Sequence, residues 1–80
     1  MSEVARFDFF HVLELPLQVG RKTHEYEVRN NRSGGPLGFI KWHSAWRQLC
    51  FFPWPGTIWS IGCLQDLIAF IDLKSGGSSV

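Results

Sequence analysis

The apolar residues of this chain change their spacing once, at Ser60. Beyond it they recur every three or four positions, as in an amphipathic helix, at Ile61, Leu64, Leu67, Ile68 and Ile71. The Ser60 hydroxyl suits an N-cap, and Lys74 would complement the helix dipole in the last turn. We therefore expect one helix over about Ile61 to Leu73, ended by Gly76 or Gly77 in a left-handed conformation.

Before Ser60 the spacing is closer to two, which is typical of strands. It predicts four strands, at about Arg6–Leu15, Thr23–Asn30, Leu37–Trp42 and Arg47–Phe52. In the first, Phe7 and Phe9 fall on one face and Phe10 on the other; in the second, Glu25 and Glu27 fall on a face expected to meet water. The asparagine- and glycine-rich residues 30–36 favour a hairpin turn. The predicted fold is α+β: an antiparallel four-stranded meander with one C-terminal helix packed on one face, ββββα.

The length of 80 residues predicts one small domain, over residues 1–74, with a flexible tail at 75–80. Met1 to Glu3 are expected to fray. The net charge of +1 argues against a duplex nucleic-acid binder, and no apolar stretch approaches the ~18 residues of a membrane span. Cys50 and Cys63 lack a CxxC spacing and are expected to be reduced, as in a cytoplasmic protein, although a bridge between them remains an alternative.

Catalytic patterns are weak. His11 and His24 lie on predicted apolar strand faces, where hydrogen-bonded structural histidines are common, and no metal-ligand spacing is present. A Cys50 or Cys63 nucleophile with His43 as base lacks any local sign of activation. We expect neither an enzyme nor a cofactor.

An aromatic and mildly basic segment, Leu37 to Trp59, contains all four tryptophans. Lys41 and Arg47 lie among the rings, and no acidic residue occurs between Glu27 and Asp66. One helix cannot cover so many rings, so some should be exposed. Tryptophan beside a cation suits flat anionic ligands, protein interfaces or single-stranded nucleic acid.

The candidate ligand-binding residues combine rings, cations and a helix N-terminus: Lys41, Trp46, Arg47, Trp54 and Ser60. If Arg47 or Lys41 folds back near Ser60, the amides of the first helical turn would complete an anion site. The alternatives are structural: Trp42 and Trp59 in the core, Trp54 clamping a loop, and Ser60 as an ordinary cap.

The same half of the chain carries the pattern GxIKWxxxWRxxCFFP, followed by TIWSxxCLxDLxxF, from Gly38 to Phe70. It resembles a family of small proteins found in phages, prophages and mobile bacterial elements. The resemblance implies a non-enzymatic accessory protein in a bacterial host cell, with anti-defence activity as one form of that role. Its partner would be a nucleotide-like small molecule or a host protein, and one helix on the sheet would leave surface for a homo-oligomer. The alternatives are a single-stranded nucleic-acid-binding protein and a structural or assembly protein that uses the aromatics as an interface.

Overall fold

The computed structural model describes residues 2–20 and 22–75 and contains five strands and one helix. The strands are β1 (Ser2–Arg6), β2 (Phe10–Glu14), β3 (Tyr26–Asn30), β4 (Pro36–His43) and β5 (Gln48–Pro53), and the helix is α1 (Ile61–Lys74). The strands form one antiparallel sheet in the order β1-β2-β3-β4-β5. The α+β class and the C-terminal helix are confirmed, and the prediction of four strands is wrong.

The extra strand comes from the N-terminal segment, where one predicted strand is a hairpin. The Phe7 amide donates to the Phe10 carbonyl oxygen at 2.8 Å and closes the turn. Ser2 and Glu3, expected to fray, pair with β2, while Met1 lies outside the described residues. Phe9 is 64% exposed and Phe10 is fully buried, so the turn takes Phe9 out of the face on which the alternation placed it.

A distant asparagine holds this first turn. The side-chain amide of Asn31 donates to the Phe7 carbonyl oxygen at 2.8 Å, and its backbone amide donates to the Phe9 carbonyl oxygen at 3.0 Å. Its Oδ1 lies 2.7 Å from Nδ1 of His11. Asn31 belongs to the β3–β4 turn, so the break between β1 and β2 is stabilised by a tertiary contact that a local pattern does not reveal.

The core lies between α1 and the middle of the sheet. Leu67 and Phe70 of α1 are buried, and the Phe70 ring meets the Tyr26 ring edge-on at 5.3 Å. The sheet contributes fully buried Phe10, Val12, Val28 and Ile40. Burying a side chain of this size stabilises the fold by about 1.5–3 kcal/mol relative to exposure.

The N-cap of α1 and the cation in its last turn are the residues that the sequence predicted. The Ser60 hydroxyl accepts a hydrogen bond from the Cys63 amide at 3.2 Å, which confirms the N-cap, and Lys74 lies in the last turn. The C-cap is Ser75 with φ −84°, and the proposed glycine stop and the rest of the tail lie outside the described residues. Within residues 2–20 and 22–75, no helix is long and apolar enough to cross a membrane.

The second sheet face, which we call the open face, points away from α1. It carries Glu27, Arg29, Phe39, Lys41 and Phe52, at positions that alternate with the buried ones. Glu27 was expected to meet water but is only 8% exposed, because Arg29 Nε lies 3.1 Å from its carboxylate and neighbouring strands flank it.

Candidate functional site: a groove between the β4–β5 turn and the helix

The turn between β4 and β5 ends on a residue with an unusual backbone. The Trp46 amide donates to the His43 carbonyl oxygen at 3.1 Å, and the Arg47 amide donates to the Ser44 carbonyl oxygen at 3.3 Å. The chain re-enters the sheet through Arg47, whose φ is 52°. Among the described residues it is the only one other than glycine with a positive φ. This left-handed conformation is one that glycine and asparagine adopt most easily.

A groove of about 880 Å³ separates this turn from the C-terminal half of α1. We call it the hairpin–helix groove. Its principal lining residues are Trp42, Trp46, Arg47, Leu49, Ile68 and Lys74. The apolar part is formed by Leu49 and Ile68, the aromatic part by the two tryptophans, and cations are contributed by Arg47 and Lys74.

Both groove tryptophans present ring surface to solvent. Trp46 is 67% exposed and Trp42 is 42% exposed. Trp46 is held edge-on against His43, with ring centroids 5.0 Å apart and planes at 89°. Edge-to-face contact fixes one ring edge and leaves a face for stacking with another flat group.

The charges of the groove are mixed, with cations in excess. Arg47 is exposed, and its guanidinium has no ion-pair or hydrogen-bond partner within residues 2–20 and 22–75. Lys74 Nζ lies 5.8 Å from the Phe70 ring centroid and 5.9 Å from that of Tyr26, which places its stem along the core. Asp72 is the one carboxylate among the lining residues that the structure describes. The groove can therefore receive an anion at Arg47 without breaking an existing ion pair there.

Two of the five predicted site residues, Trp46 and Arg47, meet in this groove. Lys41 lies on the open face, with Nζ 4.8 Å from the Phe52 ring centroid, beside a separate hollow of about 400 Å³. Trp54 is 47% exposed, and its ring packs against the Phe39 ring with centroids 6.2 Å apart.

Ser60 lies at the other end of α1 from the groove. It lines a third cavity, of about 350 Å³, together with Phe9, Ile58 and Trp59. Arg47, in contrast, shares its cavity with Lys74 and Ser75. The hypothesis that Arg47 or Lys41 folds back toward the first helical turn does not match this arrangement. The β4–β5 turn lies beside the C-terminal end of α1, not beside its first turn.

Sequence reasoning missed Trp42, Ile68 and Lys74 as neighbours of Arg47. Trp42 shares the α1-facing side of β4 with buried Ile40, so it was open to interpretation as core. The available signal was the width of the apolar stripe on α1. Ile61, Leu64 and Ile68 repeat at helical spacing yet are 75%, 42% and 65% exposed, so the helix has more apolar surface than the sheet covers.

Trp59 is the tryptophan with a clear structural role. Its Nε1–H donates to Thr57 Oγ1 at 3.0 Å. Its ring packs against Phe51 at 4.9 Å and Phe10 at 5.8 Å. Trp59 therefore packs the segment before α1 against the sheet. This agrees with the structural alternative for Trp59, a place in the core.

The described residues give no support for a metal site or for a disulfide. Across residues 2–20 and 22–75 no cluster of three His, Cys, Asp or Glu side chains could hold a metal ion. Cys50 and Cys63 are half-buried and not joined to each other. Comparison of the chain with protein-family models, with curated protein sequences and with solved structures gives no match.

Proposed function

We propose that this protein is a binding module that holds a flat, anionic, nucleotide-like small molecule in the hairpin–helix groove. The observation that carries the proposal is Arg47, which lies in a left-handed conformation beside two exposed tryptophans. Its guanidinium has no partner among the residues that the structure describes. The proposed site keeps Trp46 and Arg47 from the sequence-based set and adds Trp42 and Lys74.

The backbone of Arg47 supports a role for its side chain. A residue other than glycine costs roughly 1–2 kcal/mol in the left-handed region, and such strain is concentrated at functional sites. Glycine would close the same turn without this cost. Because the Arg47 guanidinium forms no ion pair or hydrogen bond with the residues that the structure describes, the described fold gives no reason for a guanidinium at this position.

The groove offers the contacts that a nucleotide needs. The exposed faces of Trp42 and Trp46 can stack on a base, and the planar fork of Arg47 can bind a phosphate through two parallel hydrogen bonds. Lys74 adds a second positive charge on the helix side of the groove. The volume of about 880 Å³ lies within the roughly 300–1,000 Å³ of small-molecule sites.

The proposed biological role is that of a phage-type accessory protein that binds rather than transforms its ligand. The basis is the resemblance of the segment from Gly38 to Phe70 to small phage and prophage proteins. Sequestering a nucleotide signal of a host defence system needs affinity and no catalytic group. A host protein that inserts an acidic residue between Trp46 and Arg47 would use the same chemistry.

A melting-temperature screen with nucleoside phosphates and cyclic nucleotides tests the proposal. A ligand at 100 times its Kd stabilises the folded state by about 2.7 kcal/mol, which is roughly 10–20 °C for a domain of this size. We expect Arg47→Gly to abolish that shift without lowering the melting temperature of the unliganded protein, since glycine relieves the backbone strain.

Arg32→Ala is the matched control, because it removes an exposed cation from the β3–β4 turn and should leave the ligand-induced shift intact. Equal loss in both variants would mean that net charge, and not the groove, governs binding. The absence of a shift with every nucleotide would remove the nucleotide proposal.

The open face supports a second candidate, binding of single-stranded nucleic acid. Lys41 lies over the Phe52 ring, and the Phe39–Trp54 pair adjoins it on the face that α1 leaves uncovered. Rings plus cations on an uncovered sheet are a stacking platform. For this function, Lys41→Gln and Trp54→Ala should weaken oligonucleotide binding, and affinity should fall steeply with salt. Arg47→Gly separates the two candidates, because Arg47 belongs to the groove.

A further inference from the structure

The two edges of the sheet differ in how they are protected. Strand β1 has a register shift between Glu3 and Ala5, and its exposed Glu3 and Arg6 form an ion pair at 2.7 Å. Bulges and charges of this kind discourage pairing with another chain. Strand β5 has an unbroken register with β4 and contains no charged residue from Gln48 to Pro53. In the described sheet β5 has β4 as its one neighbour, so its outer side is available for pairing.

The backbone groups on that outer side can be assigned. The Trp54 amide donates to the Leu37 carbonyl oxygen at 2.9 Å, immediately beyond the pair formed by Gly38 and Pro53. Because bonded and non-bonded pairs alternate in an antiparallel ladder, Phe52 and Cys50 direct their amides and carbonyls toward β4. Leu49 and Phe51 then direct theirs outward, and both retain an N–H, which Pro53 lacks.

We infer that β5 pairs antiparallel with β5 of a second copy, about a two-fold axis at Cys50. This register places Leu49 of each copy opposite Phe51 of the other, so all outward groups of these two residues are paired. Apolar and aromatic side chains then meet across the seam, which favours cross-strand pairing. No charged side chain of β5 opposes a like charge, because β5 has none.

The sheet would become ten-stranded, with both helices on one face. The Tyr26–Phe70 contact places α1 over β3. Five strand spacings of about 4.8 Å therefore separate the two helices by roughly 24 Å, too far for direct contact. The two hairpin–helix grooves would flank one trough floored by β4 and β5 of both copies. A ligand bound in the grooves, as the proposed function requires, is expected to strengthen the dimer, whereas the pairing of the two β5 strands does not depend on a ligand.

Pairing of one six-residue edge buries less than the roughly 800 Å² per partner of a standard interface. We therefore expect a dimer that dissociates on dilution. Its register places the two Cys50 residues opposite each other in a non-hydrogen-bonded pair with Cα atoms about 4.5 Å apart. This separation lies within the roughly 4.4–6.8 Å that a disulfide spans, so Cys50 reports on the register.

Oxidation by diamide tests the register in the Cys63→Ala protein. Two Cys50 thiols would lose two protons and two electrons to form the disulfide, while diamide is reduced to the hydrazine. We expect a covalent dimer on a non-reducing gel, and none with Cys50→Ala. Adding Leu49→Pro removes an outward N–H from each copy, so the dimer loses two hydrogen bonds. At about 1.4 kcal/mol for each bond, cross-linking should slow by about a hundredfold. Equal rates with and without this proline would overturn the inference.

Sedimentation velocity tests the dimer without oxidant or ligand, and so independently of the proposed function. The reduced wild-type protein should change from monomer to dimer between micromolar and millimolar concentration. Cys50→Glu should remain monomeric, because two carboxylates would then face each other across the axis. Its fold should persist, because Lys41 lies opposite Cys50 on β4 and can pair with the new carboxylate. A wild-type protein that stays monomeric throughout, or a Cys50→Glu protein that is folded and still dimerises, would contradict the inference.

Discussion

The ring of Phe51 covers the backbone of Gly38 so closely that a Cβ at Gly38 would lie 2.7 Å from two ring carbons. The same Cβ would lie 2.7 Å from the carbonyl oxygen of Phe52, and the φ of Gly38 is +156°. The missing side chain on β4 therefore lets the Phe51 ring lean across from β5 and meet Trp59 at 4.9 Å. This contact joins the edge of the sheet to the segment that enters α1.

Gly38→Ala should destabilise the fold by about 1–3 kcal/mol, since the added methyl group overpacks a site that includes a backbone oxygen. Thermal or urea unfolding measures the change. Gly62→Ala is the matched control. Its nearest neighbour would be Ser60 Oγ at 4.0 Å, so alanine in the helix should stabilise by about 0.5–1 kcal/mol. Equal effects of the two substitutions would contradict the close packing of Phe51 on Gly38.

Stability should fall at high pH because of Tyr26. Burial raises the pKa of Tyr26 above its ordinary value of 10.0, and the nearby Glu14 carboxylate raises it further. Folding therefore favours the neutral hydroxyl. This contribution is complete below about pH 10 and is lost as the pH rises through the higher pKa of the folded state.

The chain has one tyrosine, so tyrosinate absorbance reports Tyr26 alone. The folded protein should titrate at higher pH than the same protein in urea, and Glu14→Gln should reduce the difference. Coincident titration curves would show that Tyr26 is not shielded by α1.

Ser60→Ala should cost about 1 kcal/mol of stability, because the Cys63 amide loses its capping partner. Ser60→Asp, which retains a side-chain acceptor, should restore most of it. Neither change should alter ligand affinity, because Ser60 lies at the opposite end of α1 from the groove. A large loss of affinity in Ser60→Ala at normal stability would instead place the ligand at the helix N-terminus.

The sequence predicted best those elements whose signals are local. The change of period at Ser60 and the hydroxyl cap specified α1 to within one residue of its observed end at Lys74. The β3–β4 hairpin followed from its asparagine and glycine residues. The β1–β2 turn was missed because Asn31, which holds it, lies more than twenty residues away in the chain.

The candidate site was only partly predictable for a similar reason. Trp46 and Arg47 are adjacent in the chain, and the expectation that they mark a site rests on local chemistry. Their neighbours across the groove, Ile68 and Lys74, come from α1, and the direction in which the helix returns over the sheet decides that pairing. The number of aromatic rings alone indicated that some tryptophans must be exposed. Which side of the sheet each tryptophan occupies depended on the register between the strands.

The most direct measurement of the proposed function is a two-dimensional nitrogen–proton NMR titration of the four tryptophan indole signals, assigned by single Trp→Phe variants. With each nucleotide of the screen added in turn, a ligand in the hairpin–helix groove should move the signals of Trp42 and Trp46. The signal of Trp59, whose Nε1–H is bonded to Thr57, and that of Trp54 on the open face should stay in place. Movement of Trp54 without Trp42, or no movement with any nucleotide, would contradict the proposal.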